Sequence, residues 1–237
     1  MEKALILAAG MGSRLAKAHD RPKPLVDING QASIIRLLKQ FEKYGIRETA
    51  VTLGFRGNEV RSFIESNYNG SIKIYWFENH RYQEPNGVSV LSASEFVTER
   101  VMLSMADHVF SDSAVNVISS IDSKGSTSYL MVDYDLDSIF DMDDATKVLT
   151  DPEGRIVDIG KEIPDFNCID TGLFCISPEL VEALARLASP TLSQGVRELT
   201  ISGQMLTTPI GNGWWQDVDT PETLKHALEI ISKRGNE

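Results

Sequence analysis

The sequence predicts an α/β fold: a Rossmann-like sheet, mixed but mainly parallel, with helices on both faces. Three observations predict it. Strand-like and helix-like segments alternate from residue 4 to residue 77, the first strand empties into small residues, and a later apolar strand ends in a carboxylate. Open α/β sheets bind ligands beyond the carboxyl ends of their strands, so the last two observations also locate a site.

The first strand, Ala4 to Leu7, runs into Ala8-Ala9-Gly10-Met11-Gly12-Ser13-Arg14-Leu15. Small residues let a backbone approach a ligand closely and offer its N–H groups to an anion. Arg14 then supplies a planar fork for phosphate oxygens, and Lys23, fixed between Pro22 and Pro24, supplies a point charge on a stiff loop. A polyphosphate suits Leu7, Ala8, Ala9, Gly10, Gly12 and Ser13 together with these two cations. Two other phosphate loops are excluded. A P-loop needs Gly-Lys followed by Ser or Thr, and a dinucleotide fingerprint needs a third glycine, where Leu15 stands, and an acidic residue after the second strand.

Ser33 to Tyr44 carries apolar residues at helical spacing and is closed by Gly45. Glu48 to Leu53 is a second strand, Asn58 to Tyr68 a helix opened by an Asn cap, and Ile72 to Phe77 a third strand. The turn in Glu84-Pro85-Asn86-Gly87 opens a helix of small residues. Val101 to Met105 is an apolar strand ending in Ala106-Asp107-His108, which makes Asp107 a metal-ligand candidate; His108 either orients it or fills the turn. Ser128 to Asp133 is another strand, and Lys147 to Thr150 with Ile156 to Gly160 form a hairpin around Asp151-Pro152-Glu153-Gly154. The segment between, Tyr134 to Ala145, holds five Asp residues without the spacing of a calcium loop, and reads as a solvated acidic loop near the mouth of the site. A strand follows at Asp170-Thr171-Gly172, then helices over Pro178 to Leu187 and Leu192 to Ser202, a strand over Met205 to Pro209, and a last helix capped by Thr220 and running through Ile231. Asp217 and Asp219 share one side of an extended segment, and Asp219 is expected to complete the metal site with Asp107, leaving Asp217 behind it.

The chain is expected to form a single domain over 1–237, with 1–112 mainly nucleotide-binding and 128–220 mainly acceptor-binding. Its net charge of −11 argues against nucleic acid or an anionic membrane as partner, so the cations of the first loop are local exceptions. No apolar run approaches the roughly 18 residues of a membrane span, and the N-terminus leads straight into a strand. Cys168 and Cys175 form neither a disulfide framework nor a metal set. A cytoplasmic protein is expected.

The motif Leu7-Ala8-Ala9-Gly10-Met11-Gly12-Ser13-Arg14-Leu15 with Pro22-Lys23-Pro24-Leu25 resembles the signature of nucleotidyltransferases that join an NTP to a phosphorylated sugar, polyol or amino-alcohol. Met105-Ala106-Asp107-His108, Ala145-Thr146-Lys147, Ile159-Gly160-Lys161, Asp170-Thr171-Gly172 and Trp215-Gln216-Asp217-Val218-Asp219-Thr220 extend the resemblance to the cytidylyltransferases of inositol 1-phosphate, and to their phosphocholine and phosphonate relatives. The resemblance implies the nucleotide-diphospho-sugar transferase fold, CTP as donor and Mg²⁺ as cofactor. It implies base contacts at Asn86 and Gly87, acceptor contacts at Lys147, Lys161, Asp170 and Thr171, and catalytic roles for Arg14, Lys23 and Lys161. It leaves open inositol 1-phosphate, phosphocholine, a phosphonate or a sugar 1-phosphate as acceptor. Some relatives fuse this domain to a membrane phosphotransferase; here either a separate downstream phosphotransferase is expected or the product serves another pathway, and a homodimer is the oligomer to test. A non-catalytic nucleotide sensor is the rival, but such a protein usually loses the carboxylates or the Pro-Lys-Pro lysine, all present here.

Overall fold

The computed structural model describes residues 1–12, 15 and 20–235. Its central strand β1, Lys3–Ala8, is buried from Ala4 onward and pairs in parallel with β4, Glu48–Leu53, on one side and β6, Val101–Met105, on the other. β5, Lys73–Glu78, extends the parallel set beyond β4. Between β1 and β4, the chain makes a short ribbon of β2, Asp27–Ile28, and β3, Gln31–Ala32, before the helix α1, Ser33–Lys43.

The sheet becomes antiparallel at β11, Cys168–Ile176, which joins β6 to β8, Ser128–Asp133, and to the hairpin of β9, Lys147–Thr150, and β10, Ile156–Gly160. β12, Met205–Pro209, runs parallel to β8. A mixed, mainly parallel sheet was the expectation, and this is the observed architecture.

Alternate residues of a strand point to opposite faces, and β1 feeds two cores accordingly. Ala4, Ile6 and Ala8 pack under α1, α2 (Gly57–Asn67) and α4 (Asp112–Ser119). Leu5 and Leu7 pack under α3 (Asn86–Ser92), α5 (Pro178–Ala185) and α6 (Leu192–Ile201). A third cluster joins Leu15, Val26, Ile28, Val109 and Val218 to Ala227 and Ile231 of α7, Pro221–Arg234.

One local expectation is corrected, and one helix is added. α2 opens one residue before Asn58, and its cap position is Arg56 in the left-handed region at φ 50°, whose guanidinium bonds Glu59 and Asp20 instead of an Asn side chain closing the turn. α4 was not anticipated; Ser111 caps it by accepting from the Ala114 amide. Thr220 caps α7 as expected, in a reciprocal box with Thr223. Both cysteines are buried and free. Among the described residues, no helix is long and apolar enough to cross a membrane.

Candidate active site

The site begins where β1 ends. Gly12 has φ +55°, and a Cβ placed on it would meet Lys23 Cβ at 2.6 Å, so only glycine lets the loop fold against the Lys23 stem. Lys23 itself opens a short 3-10 turn behind Pro22, closed by the Val26 amide donating to its carbonyl at 3.1 Å. Gly10 is exposed with open space around it. Ala8 and Ala9 are buried, and the Ala9 carbonyl accepts from the Phe55 amide at 3.0 Å. Leu7 is a correction: its side chain belongs to the core and its carbonyl accepts from the Ala106 amide, because it still lies within the sheet. Ser13 and Arg14 lie outside the described residues.

Asp107 follows β6 and is held from both flanks. The Ser33 hydroxyl donates to the Ala106 carbonyl at 2.7 Å, and the Val218 amide donates to the Asp107 carbonyl at 2.9 Å. The second contact continues a ribbon the sequence did not reveal. β7, His108–Phe110, pairs antiparallel with β13, Trp215–Asp217, so that His108 opposes Asp217. This ribbon brings the late carboxylates to the early one.

Lys23 Nζ bridges Asp107 Oδ2, at 2.5 Å, and Asp219 Oδ1. The expected pairing of Asp107 with Asp219 is thus present, with an ammonium between them. Asp217 and Asp219 also stand with Asp144, carboxylate oxygens of all three lying within 4.8 Å of one another. Asp144 comes from the acidic stretch expected as a solvated loop near the mouth of the site, and it brings one carboxylate beside Asp217 and Asp219. Lys161 follows β10 and pairs with Asp144, while Lys147 Nζ donates to the Lys161 carbonyl at 2.8 Å.

His108 Nδ1 donates to Asp107 Oδ1 at 2.6 Å, and its ring stacks against Phe110 and Trp215 at centroid distances of 5.9 and 6.2 Å. Burial by itself would raise the Asp107 carboxyl, but the charges and hydrogen bonds of Lys23 and His108 outweigh it and hold it well below the usual carboxylate range. Burial likewise opposes the His108 cation, yet Asp107, with Asp217 behind it, keeps that imidazole above its ordinary value. Asp170 differs. Burial pushes its carboxyl up to about 6, against the Gly172 amide that donates to it at 2.7 Å.

Thr171 is corrected: its hydroxyl is fully buried and donates to the Met131 carbonyl at 2.9 Å, which pins β11 to β8 and withdraws that side chain from any ligand. Asn86 and Gly87 have packing roles as well. The Leu192 amide donates to Asn86 Oδ1 at 2.9 Å, and a Cβ on Gly87 would meet the Pro190 carbonyl at 2.5 Å.

A cavity of about 730 Å³ opens beside Asp217, between the acidic loop, the segment 211–217 and α7. Its walls include Trp215, Phe140 and His226 and the carboxylates of Asp133 and Asp141. Trp215 Nε1 donates to Asp133 Oδ2 at 3.0 Å, and Phe140 stacks on His226 at 4.3 Å. A smaller pocket of about 220 Å³ lies at the ends of β4 and β5, lined by Gly54, Asn79 and Tyr82.

The sequence profile of the MobA-like NTP transferase domain matches residues 4–202. The chain belongs to this family. Members of the MobA-like NTP transferase family are nucleotidyltransferases. Two relatives named bifunctional IPC transferase and DIPP synthase, from Rubrobacter xylanophilus and Archaeoglobus fulgidus, are each 30% identical over 236 and 231 residues, covering 96% and 97% of this chain but 51% and 44% of their own. The chain spans about half the length of the curated relatives it matches. The inositol-1-phosphate CTP transferase from T. maritima superposes with a TM-score of 0.84 at 26% identity, covering 98% of this chain and 96% of that one. A UDP-glucose pyrophosphorylase complexed with UDP-glucose superposes equally well, at 0.84, with 15% identity, and shows the shared fold. The nucleotide-diphospho-sugar transferase fold expected from the motif is the fold observed.

Proposed function

We propose that the chain is a Mg²⁺-dependent cytidylyltransferase that joins CTP to inositol 1-phosphate and releases pyrophosphate. The observation that carries this reading is the meeting of Asp107 and Asp219, from the two ends of the chain, beside the glycine turn after β1. Similarity to the T. maritima inositol-1-phosphate CTP transferase supports the choice of substrates. An oxygen of the acceptor phosphate attacks the α-phosphorus of CTP, the bond from that phosphorus to the bridging oxygen breaks, and pyrophosphate departs with the electron pair. No side-chain nucleophile is needed, so the work is positioning and charge stabilisation.

The residues fit a hard divalent cation. Carboxylate oxygens are its preferred donors, and a lysine ammonium already stands between two of them. Asp107 and Asp219 would hold Mg²⁺, with Asp217 and Asp144 adjoining; when bound, the ion draws charge from the triphosphate. Lys23 and Arg14 then serve the leaving pyrophosphate, and Lys161 the acceptor phosphate. Ala8 to Gly10 and the Asn86-Gly87 backbone face the base, residues 1–112 carry the nucleotide, and 128–220 the acceptor. The cavity beside Asp217 takes the ring: carboxylates accept hydroxyl hydrogens, and an aromatic face covers the C–H side of a polyol. The free, buried cysteines suit a reducing compartment, and the reaction belongs in the cytoplasm, upstream of a phosphotransferase.

A second reading is favoured by that same cavity. Four aspartates with aromatic walls also suit a quaternary ammonium, and so phosphocholine. Pyrophosphate release from CTP with inositol 1-phosphate, phosphocholine, a phosphonate and glucose 1-phosphate in parallel tests both. Turnover with inositol 1-phosphate alone supports the first reading, and turnover with phosphocholine alone replaces it. Release with none of them overturns both.

A further inference from the structure

Charges alternate across the site in one row. Asp107, Lys23 and Asp219 stand at one end, Asp217 lies alongside, and Asp144 with Lys161 closes the other end. The Lys23 ammonium is seated on the two carboxylates that a divalent cation would need, and the Lys161 ammonium on a third that adjoins them. The Lys23 side chain is only 12% exposed, so its charge is not spread into solvent but committed to Asp107 and Asp219. The Lys161 side chain, by contrast, is half exposed and can swing. An ammonium and a metal ion cannot occupy the space between the same two oxygens.

We infer that Lys23 and Lys161 are built-in competitors of the metal, so that the free chain rejects a lone divalent cation and accepts it only together with a nucleoside triphosphate. The triphosphate offers Lys23 new oxygens at the moment the cation takes Asp107 and Asp219. Partners are exchanged, and no charge is left bare. Lys161 makes the second exchange: the acceptor phosphate draws it from Asp144, which turns that carboxylate toward the neighbouring Asp217 and Asp219. The inference rests on the nucleotidyl-transfer reading and adds to it the means by which a lone cation is kept out. It also explains why four carboxylates can stand so close before any ligand arrives: two ammonium groups hold them together.

Titration of the whole chain with Mn²⁺, followed by electron paramagnetic resonance, tests this without turnover. Mn²⁺ alone should bind weakly, and CTP should tighten it by between about 5- and 150-fold, the usual span of coupling between two sites. Lys23→Met keeps the stem that packs on Gly12 and removes the charge; it should bind Mn²⁺ alone at least about tenfold more tightly, with the CTP effect correspondingly smaller. Lys161→Met, at an exposed side chain, should show a lesser gain and serves if Lys23→Met does not fold. Lys23→Arg, which keeps the charge, should bind Mn²⁺ as poorly as the parent. Equal Mn²⁺ affinity in the parent and both Met variants overturns the inference, whether or not pyrophosphate is released. Tighter Mn²⁺ in the Met variants with no pyrophosphate from any acceptor leaves the competition standing and overturns the functional reading instead.

Discussion

Gly172 and the ring of His108 are in direct opposition: a Cβ on Gly172 would lie 2.4 Å from His108 Cδ2 and Nε2, and Gly172 has φ +77°. The imidazole that bonds Asp107 is therefore seated on bare backbone. Gly172→Ala would strain the backbone and push the ring away from the carboxylate, and we expect a loss of about 2 kcal/mol or more, together with weaker Mn²⁺ binding in the presence of CTP. Urea denaturation and metal titration check this. An unchanged midpoint would show that β11 can shift to make room.

The carboxylates should not be equivalent. Asp107→Ala and Asp219→Ala each remove an oxygen donor that Lys23 already marks, and turnover should fall by orders of magnitude with the fold intact, as judged by circular dichroism. Asp217→Ala and Asp144→Ala should cost less. If Asp217→Ala is inactive and Asp219→Ala is nearly normal, the assignment within the pair is reversed.

Asp170 makes stability depend on pH. Its carboxyl is raised by burial to about 6 in the folded protein, against about 3.9 in an unfolded chain. The folded state therefore binds the extra proton between these values, so this group's contribution to stability is greatest below pH 4 and is lost as the pH rises through 6. Asp170→Asn removes that dependence. Relative to the parent, it should gain about 2 kcal/mol between pH 4 and pH 7.5 by urea denaturation, and a parent-to-variant difference that is flat with pH would contradict the assignment.

The two lysines should fail differently. Lys161→Ala removes a charge-assisted bond of about 1.5 to 3 kcal/mol from the acceptor phosphate, which raises the acceptor KM by about 10- to 150-fold while CTP affinity holds. Lys23→Ala should lower kcat, because the charge it offsets grows as pyrophosphate leaves. Steady-state kinetics with CTP affinity measured by calorimetry separates them; equal weakening of CTP and acceptor in Lys161→Ala would assign both lysines to the triphosphate.

Much of this was legible in the sequence because it is local. The small-residue turn after β1, the crossover helix over Ser33–Lys43 and the cap at Thr220 each rest on residues a few positions apart, where periodicity and capping chemistry act directly. Asp107 was legible because its strand points at it. What escaped depends on distance along the chain. β7 and β13 have three residues each and carry too little pattern to announce a strand, and their pairing spans a separation of about a hundred residues. Asp144 sits among other aspartates, and only the fold distinguishes the one that turns inward. Thr171 looked like a ligand because it precedes Gly172, whereas the alternation of β11 sends its hydroxyl into the sheet.

The pairing of His108 with Asp217 has a consequence for biosynthesis. A ribosome that has released residues 1 to 210 has already issued the glycine turn, Lys23, Asp107 and nearly the whole sheet, yet β13 and Asp219 are still to come. Until then Lys23 has one of its two carboxylates and His108 lacks the Trp215 ring on its open side. The lysine bridge and the stacked imidazole are thus completed only once residues 215 to 219 have emerged.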